Sequence, residues 1–241
     1  MKWMNLILLF DDDFTTEPGM VRLTGRRLRH LKEVHRAAVG KTLTVGHANG
    51  AIGTGEILSM DNNAVEMTVS LTEPPPAPLP LTLILALPRP KVLNRVIIAA
   101  TSMGVKRLVL INAVRVEKSF WQSPRVSEEN LLAQSVLGLE QAKDTQLPEI
   151  LLKKRFKPFV EDELPAMARG TEKLVAHPYD ATACPMGVGG PTTLAVGPEG
   201  GFIPYEIDKL KEAGFDAVSM GERILRVESA IPALLSRLYP L

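Results

Sequence analysis

Two glycine-bearing turns in the last third of the chain carry the residues best suited to chemistry. The first turn is Gly197-Pro198-Glu199-Gly200-Gly201 and the second is Gly221-Glu222-Arg223, and a short apolar run precedes each. Glycine lets backbone N–H and C=O groups approach a ligand closely. Glu199 and Glu228 could accept a proton, while Arg226 could place a phosphate or stabilise developing negative charge. Composition and spacing alone predict a nucleotide-like ligand at a sheet edge.

The elements around these turns are predicted to be a strand, a helix and a second strand. Residues 193–196 form a β-leaning run that stops at Gly-Pro, Pro204 can open a helix, and Gly214 can cap its end. Residues 217–220 then form another short strand. A right-handed crossover between the two strands would place both turns side by side at the carboxyl edge of a parallel sheet.

A last helix follows the second turn. Ser229 is predicted to cap it, which would put Pro232 in the first turn, where proline is tolerated. Four residues then share one apolar stripe: Ile231, Leu234, Leu235 and Leu238.

The two turns resemble those of a known family. The strings GPEGGF at 197–202 and MGERILRVESA at 220–230 are similar to the signature loops of RsmE-type ribosomal RNA methyltransferases, the uridine N3-methylating branch of the SPOUT superfamily. The resemblance implies a trefoil-knotted α/β domain that binds S-adenosylmethionine in its knotted loops and works as a homodimer. It further implies methylation at N3 of a uridine in 16S ribosomal RNA of the small subunit, with free RNA and the assembled subunit both open as substrates.

The resemblance also assigns roles to residues. The implied cofactor contacts are Gly197, Gly200, Gly201, Met220, Gly221, Ile224, Leu225 and His177. His177 has an alternative interpretation as a loop histidine held by the backbone. We expect turnover to need Arg226 and one of two glutamates, Glu199 or Glu228. Each glutamate has a structural alternative: Glu199 could bind neighbouring backbone N–H groups, and Glu228 could interact favourably with the positive start of the last helix.

A one-sided basic cluster lies near the amino terminus. Seven basic side chains between positions 22 and 41 stand against a single acid, Glu33, although the whole chain has a net charge of only +1. This stretch resembles the family's PUA-like RNA-binding module. The interpretation as a solvated helix face remains open beside RNA binding. A helix is predicted to start after Thr24, with Leu28, Leu31 and His35 on one face and its arginines pointing outward. The candidate RNA-binding residues are Arg22, Arg26, Arg27, Arg29, Lys32 and Arg36.

A proline-rich spacer predicts the domain boundary. Five prolines in the eight residues 73–80 favour an extended linker and forbid a continuous helix. Residues 1–72 read as a small, mostly β domain with a hairpin turn at Asn49-Gly50. Residues 81–241 alternate apolar strands with amphipathic helices, which is typical of an α/β domain with a parallel sheet. The predicted fold is thus a PUA-like β-barrel followed by a SPOUT-type α/β domain.

Composition limits the setting of the protein. Cys184 is the one cysteine, so an internal disulfide is excluded and a reducing, cytoplasmic location is expected, with the thiol inert. The apolar run at 6–10 is short and predicts a buried strand rather than a signal peptide, and no run is long enough to cross a bilayer. Since histidines and cysteines form no cluster at metal-ligand spacing, we predict no metal site.

Three departures from the family pattern leave the target nucleotide open. Ala99, Ser102 and Asp144 stand where a lysine, a glutamate and an arginine would be expected. Ser102 and Asp144 leave open the methylation of another RNA site. A second alternative, from another class, is a non-enzymatic RNA-binding or ribosome-assembly protein that retains the knotted scaffold. Cofactor binding separates the enzymes from the last alternative.

Overall fold

A computed structural model describes residues 5–33 and 38–240 of the chain. They form two compact units. One comprises Met1–Ala77 with Val136–Leu147, and the other comprises Pro78–Ser135 with Pro148–Leu241. The functional boundaries predicted at 72/73 and 80/81 stay a prediction. Two residues discussed above, His35 and Arg36, lie outside the described residues.

The first unit is built on a mixed five-stranded sheet. Its strand order is β1-β3-β4-β5-β2, in which β1 and β3 pair in parallel and the other pairs are antiparallel. The predicted buried strand near the amino terminus is confirmed as β1, and Asn49 has a positive φ of 58° in the turn between β3 and β4. The strands are β1 (Ile7–Leu9), β2 (Met20–Leu23), β3 (Thr42–His47), β4 (Ile52–Met60) and β5 (Val65–Glu73).

Helix α1 (Gly25–Glu33) belongs to this unit because its apolar side chains enter the core of the sheet. Leu28 and Leu31 are buried there with residues of β1, β2 and β5. Their spacing of three residues puts them on one face of the helix, as predicted.

The second unit contains a seven-stranded sheet in which every pairing is parallel. Its order is β10-β12-β9-β11-β6-β7-β8. Central strands such as β11 are buried along their whole length, which is typical of a sheet covered on both faces. The strands are β6 (Leu81–Ala86), β7 (Arg107–Ile111), β8 (Glu149–Lys153), β9 (Glu172–Ala176), β10 (Thr182–Ala183), β11 (Thr192–Val196) and β12 (Asp216–Ser219).

Helices connect these parallel strands. The helices are α2 (Pro90–Ser102), α3 (Glu128–Ala142), α4 (Phe156–Pro158), α5 (Leu164–Met167), α6 (Pro204–Glu212) and α7 (Val227–Leu238). A π-helical turn, Phe159–Glu163, joins α4 to α5, and the last residues of α3 belong to the first unit. Within the described stretches, no helix is both long and apolar enough to cross a membrane.

Two details of the predicted carboxyl-terminal part are wrong. Strands β11 and β12 are parallel but not neighbours, because β9 lies between them. Helix α7 starts at Val227 rather than after Ser229, since the carbonyl of Arg226 accepts hydrogen bonds from the N–H groups of Ser229 and Ala230 at 2.9 and 2.7 Å. Pro232 therefore lies inside the helix, in its second turn.

Candidate functional site

A cleft of about 280 Å³ lies where β9, β11 and β12 end, at the carboxyl edge of the sheet. This volume is near the lower end of the usual range for small-molecule pockets, roughly 300–1,000 Å³. The two glycine turns line it as predicted, and the loop after β9 lines it between them. All eight predicted cofactor contacts are in the lining: His177, Gly197, Gly200, Gly201, Met220, Gly221, Ile224 and Leu225.

The backbone at two of these positions requires glycine. A Cβ at Gly197 would stand 2.9 Å from the backbone nitrogen of Phe202, so any side chain would push the first turn apart. Gly221 has a φ of 109°, a conformation that L-residues rarely adopt. The tight path of both turns keeps backbone groups at the wall of the cleft.

One side of the cleft is apolar yet uncovered. Ile224 is 72% exposed, Leu225 is 40% exposed and Met220 is 36% exposed, although each is a large hydrophobic side chain. Exposed apolar groups that line a cavity indicate a surface which a ligand covers. They can pack against the flat or aliphatic part of a small molecule.

His177 contributes a polar atom that lacks a partner. Its Nδ1 is buried and has no hydrogen bond to any of the described residues, whereas its backbone N–H donates to the carbonyl of Val218 at 3.0 Å. Burial lowers the pKa of His177, Lys211 lowers it further, and Asp180 opposes them. The imidazole is thus neutral at pH 7 and free to exchange a hydrogen bond with a ligand. The alternative interpretation, a loop histidine held by the backbone, stays open beside this one, because the backbone N–H is bonded.

The three candidate catalytic residues occupy different places. Glu199 lines the cleft, and its Oε1 accepts a hydrogen bond from the backbone N–H of Arg89 at 3.0 Å. Arg226 is the N-cap of α7 and Glu228 lies in the first turn of that helix. Neither of the last two is among the residues that line the cleft. The structure brings together Glu199 and the cofactor contacts, but not the whole predicted set.

Two arginines in the cleft were missed by the sequence analysis. Arg223 lines it from the second glycine turn, and Arg115 reaches it from the loop after β7. The guanidinium Nη1 of Arg115 donates to the carbonyl of Gly200. The available signal was position, since Arg115 closely follows the end of a predicted parallel strand.

A buried carboxylate holds the loop that carries Arg115. Glu206, in the first turn of α6, is only 1% exposed. Its Oε1 accepts from the N–H of Val114 at 2.7 Å and its Oε2 accepts from the N–H of Ile203 at 2.9 Å. One side chain thereby ties the loop after β7 to the segment that follows the first glycine turn.

Two of the candidate RNA-binding arginines are used inside the first unit. Arg27 forms an ion pair with Asp13 and donates to the carbonyl of Leu8 at 3.1 Å, and only 19% of its side chain is exposed. Arg26 pairs with the fully buried Glu140 at 3.3 Å. Burial raises the pKa of Glu140, while the charge of Arg26 opposes that rise. The expectation that the arginines of α1 all point outward is therefore wrong for Arg27, whose charge balances a buried acid.

The other described candidates of the first unit are not paired with buried acids, and Lys32 is half-buried. Arg22 lies 3.8 Å from Glu66, and Lys32 donates to the side-chain carbonyl of Asn62 at 3.0 Å. Arg29 is exposed. The RNA-binding role of the cluster stays a prediction.

A second and larger hollow, of about 980 Å³, runs along β9, β10 and β12. Acidic residues Glu172, Asp180 and Asp216 line it together with Lys211. Among the described side chains that line it, none has a buried polar atom without a partner. The smaller cleft is the better candidate because the glycine turns and the unpartnered His177 nitrogen belong to it.

The fold and the cleft define a class: α/β proteins that bind a small ligand outside the carboxyl ends of parallel strands. Comparison with known proteins identifies the family, because the RNA methyltransferase domain matches residues 75–239. The chain belongs to this family of RNA methyltransferases, as the glycine loops predicted. Cys184 is buried, and burial raises the pKa of its thiol, which agrees with an inert side chain.

Relatives and solved structures match nearly the whole chain. A ribosomal RNA small subunit methyltransferase E from Treponema pallidum is 27% identical over 232 residues, 94% of this chain and 87% of the relative. The same enzyme from Neisseria gonorrhoeae, solved with S-adenosyl methionine bound, has a TM-score of 0.74 at 21% identity, covering 97% of this chain and 96% of that one.

A methyltransferase from Legionella pneumophila, solved in complex with the cofactor SAM, has a TM-score of 0.77 at 24% identity, with coverage of 97% and 96%. The predicted fold class, an α/β methyltransferase unit preceded by a small β unit, is confirmed.

Proposed function

We propose that this chain uses S-adenosylmethionine to methylate N3 of a uridine in 16S ribosomal RNA of the small subunit. The observation that carries the proposal is the meeting of three separate loops, after β9, β11 and β12, around one cleft with an apolar wall. The Treponema relative supports the substrate class, and the Neisseria and Legionella structures support the cofactor.

The lining of the cleft suits the proposed cofactor in its polar and apolar groups. The backbone groups of the glycine turns suit the polar edge of an adenine, Ile224 and Leu225 suit its flat faces, and the neutral His177 ring offers one further hydrogen bond. Bound S-adenosylmethionine would supply an activated methyl group on a sulfonium. The chain itself then has to align the base with that group and remove the N3 proton.

For the proton we assign Glu199 in preference to Glu228. Glu199 lines the cleft, and the N–H of Arg89 holds one of its two carboxylate oxygens, which orients the other. Glu228, in the first turn of α7, is suitably placed to interact with the positive helix end. Arg226, the N-cap of the same helix, is also outside the lining of the cleft. We keep as a proposal its predicted role toward the negative charge that gathers on the uracil oxygens.

The departures from the family pattern do not argue for another target. Ser102 donates to the carbonyl of Ile98 at 2.7 Å inside α2. Asp144 is only 4% exposed, and its Oδ1 accepts from the N–H of Gln146 at 2.9 Å. Because both side chains are bonded within the fold, neither of them by itself favours another RNA site, and we keep the N3 assignment as the proposal. We also infer a homodimer, a trefoil-knotted path and a cytoplasmic location, as the resemblance and the lone cysteine imply.

The test combines calorimetry and product mapping. The wild-type chain is titrated with S-adenosylmethionine, then incubated with small ribosomal subunits that lack the modification, and the methylated nucleotide is identified by mass spectrometry. We expect cofactor binding and one N3-methyluridine. Binding of RNA without any cofactor binding would instead support the non-enzymatic alternative.

Variants then test the assigned roles. We expect Glu199→Gln and Arg226→Ala to lower the methylation rate with cofactor affinity retained, whereas Glu228→Gln should keep the rate. Unchanged rates in both Glu199→Gln and Arg226→Ala would refute the assignment.

A further inference from the structure

Four basic side chains follow the carboxyl ends of three adjacent strands in the second unit. Arg89 comes after β6, Arg115 after β7, and Lys154 and Arg155 after β8. Since the strand order is β11-β6-β7-β8, these side chains form a row that starts beside the first glycine turn. At about 4.8 Å between strands, the row extends about 14 Å from the cleft.

The inner half of the row is joined to the first glycine turn by hydrogen bonds. The backbone N–H of Arg89 donates to Glu199, and the guanidinium of Arg115 donates to the carbonyl of Gly200. The buried Glu206 also holds the loop of Arg115, because it accepts a hydrogen bond from the N–H of Val114. These contacts make the position of the two arginines a consequence of the cleft's own architecture.

The outer half is joined to the same edge by the chain around it. The carbonyl of Lys153, directly before Lys154, accepts from the N–H of Asn112 at 3.0 Å. Directly after Arg155, the ring of Phe156 packs against Phe202, with 6.2 Å between ring centroids. The basic pair is thus held between the loop after β7 and the end of the glycine segment.

The four side chains of the row are exposed, and their charges are not paired with acidic residues. Arg89, Arg115, Lys154 and Arg155 are all exposed, and none forms an ion pair with a carboxylate in the described part of the chain. Their neighbours differ, since Lys153 pairs with Glu163 and Lys157 lies 4.0 Å from Glu161. Glu117 is the exposed acid nearest in sequence to Arg115, and it makes no ion pair with that residue.

We infer that Arg89, Arg115, Lys154 and Arg155 form a cationic rim that binds phosphates of the RNA substrate and guides the target base toward the cleft. This inference rests on the proposed function and names a second RNA surface, separate from the basic cluster of α1. Unpaired, exposed cations that are fixed in a row suit a polyanion, because each phosphate contact releases counterions. Such contacts position the RNA without reading its sequence.

Salt dependence tests the rim directly. A fluorescently labelled transcript of small-subunit ribosomal RNA is titrated with each variant at several salt concentrations. Each lost phosphate contact reduces the slope of log K against log salt by about 0.7 for single-stranded RNA. We expect Arg155→Gln to reduce it by that amount and Lys154→Gln/Arg155→Gln by about 1.4.

Arg169→Gln is the matched control. Arg169 is also exposed and outside every ion pair of the described residues, but it precedes β9 and so lies at the amino edge of the sheet. It should bind RNA with the wild-type slope. Equal slopes for Arg155→Gln and wild type, or a reduction as large in Arg169→Gln, would overturn the inference.

Steady-state kinetics on small subunits separates this inference from the proposed function. In the Lys154→Gln/Arg155→Gln variant we expect KM for the subunit to rise, while kcat and the calorimetric affinity for S-adenosylmethionine stay at the wild-type values. Wild-type protein that binds the cofactor but methylates no subunit would refute the proposed function alone. A variant with unchanged KM on an active enzyme would refute the rim alone.

Discussion

Replacing Glu206 tests whether one buried carboxylate organises the entrance to the cleft. Its two oxygens accept hydrogen bonds from the N–H groups of Val114 and Ile203, which belong to segments about ninety residues apart. Glu206→Gln keeps the volume of the side chain but leaves a single acceptor oxygen. One of the two N–H groups must then face an amide that can only donate to it.

The expected loss follows from those two bonds. A hydrogen bond to a charged acceptor contributes about 1.5–3 kcal/mol, and a buried donor left without a partner costs about 1–3 kcal/mol. We expect Glu206→Gln to lower the free energy of unfolding by about 1.5–3 kcal/mol, and Glu206→Ala by about 3–5 kcal/mol. Glu212→Gln is the control, because Glu212 is exposed and surface ion pairs such as its pair with Lys209 contribute little to stability.

The assay has a global and a local readout. Denaturant unfolding followed by tryptophan fluorescence gives the free energy, and Trp121 contributes to this signal from the same loop, where its indole N–H donates to Asn112. Hydrogen exchange of the Val114 and Ile203 amides reports the two bonds themselves. Stability within about 0.5 kcal/mol of wild type, with both amides as protected as before, would show that Glu206 does not tie the loops together.

Three further predictions concern the cleft and the buried ionisable groups. Gly221→Ala should weaken S-adenosylmethionine binding about five- to 150-fold in calorimetry, because strain of about 1–3 kcal/mol accompanies its φ of 109°. Gly189→Ala, at an open position, should bind normally. Burial raises the pKa of Glu140 above 4.5, so the folded state binds this proton at a higher pH than the unfolded state does. The free energy of unfolding should therefore increase as pH falls toward 4.5. In Glu140→Gln this pH dependence, measured by denaturant unfolding at several pH values, should be flatter. Burial lowers the pKa of His177 below 6.5, so the unfolded chain binds this proton at a higher pH than the folded state does. The free energy of unfolding should therefore decrease as pH falls below 6.5. In His177→Gln this decrease should be absent from the same measurements.

Local patterns in the sequence were sufficient to predict most of the elements near the cleft. The run before Gly197 is a strand, Pro204 is the first residue of α6, and the residues of the two glycine turns meet as predicted. Each of these follows from a property of a few consecutive residues, such as the missing N–H of proline.

The order of strands was beyond those patterns. The chain passes from β11 through α6 to β12. Nothing in this segment indicates that β9, which comes earlier in the sequence, lies between the two strands in the sheet. That insertion brings His177 into the lining of the cleft, since the loop after β9 must emerge between the two glycine turns. Long-range strand order depends on the packing of the whole sheet, and a sequence window does not contain it.

Counting charged residues in the sequence is limited in the same way, because it does not show which charges pair in the fold. From the sequence alone, the seven basic residues around α1 are a more obvious candidate for an RNA surface than the unpaired cations after β7 and β8. In the structure, two acids pair with arginines of α1: Asp13, which precedes Arg27 by 14 residues, and Glu140, which follows Arg26 by 114 residues. Part of that charge therefore stabilises the first unit.

The acids near the cationic rim behave differently, because Glu199 and Glu206 bind backbone N–H groups and leave the neighbouring guanidinium and ammonium groups unpaired. An exposed cation attracts a polyanion strongly only where the fold has not already supplied its counter-charge. The salt slopes of the Arg155→Gln and Arg29→Gln variants therefore compare the two surfaces on the same scale, and we expect the rim to contribute at least as much as α1.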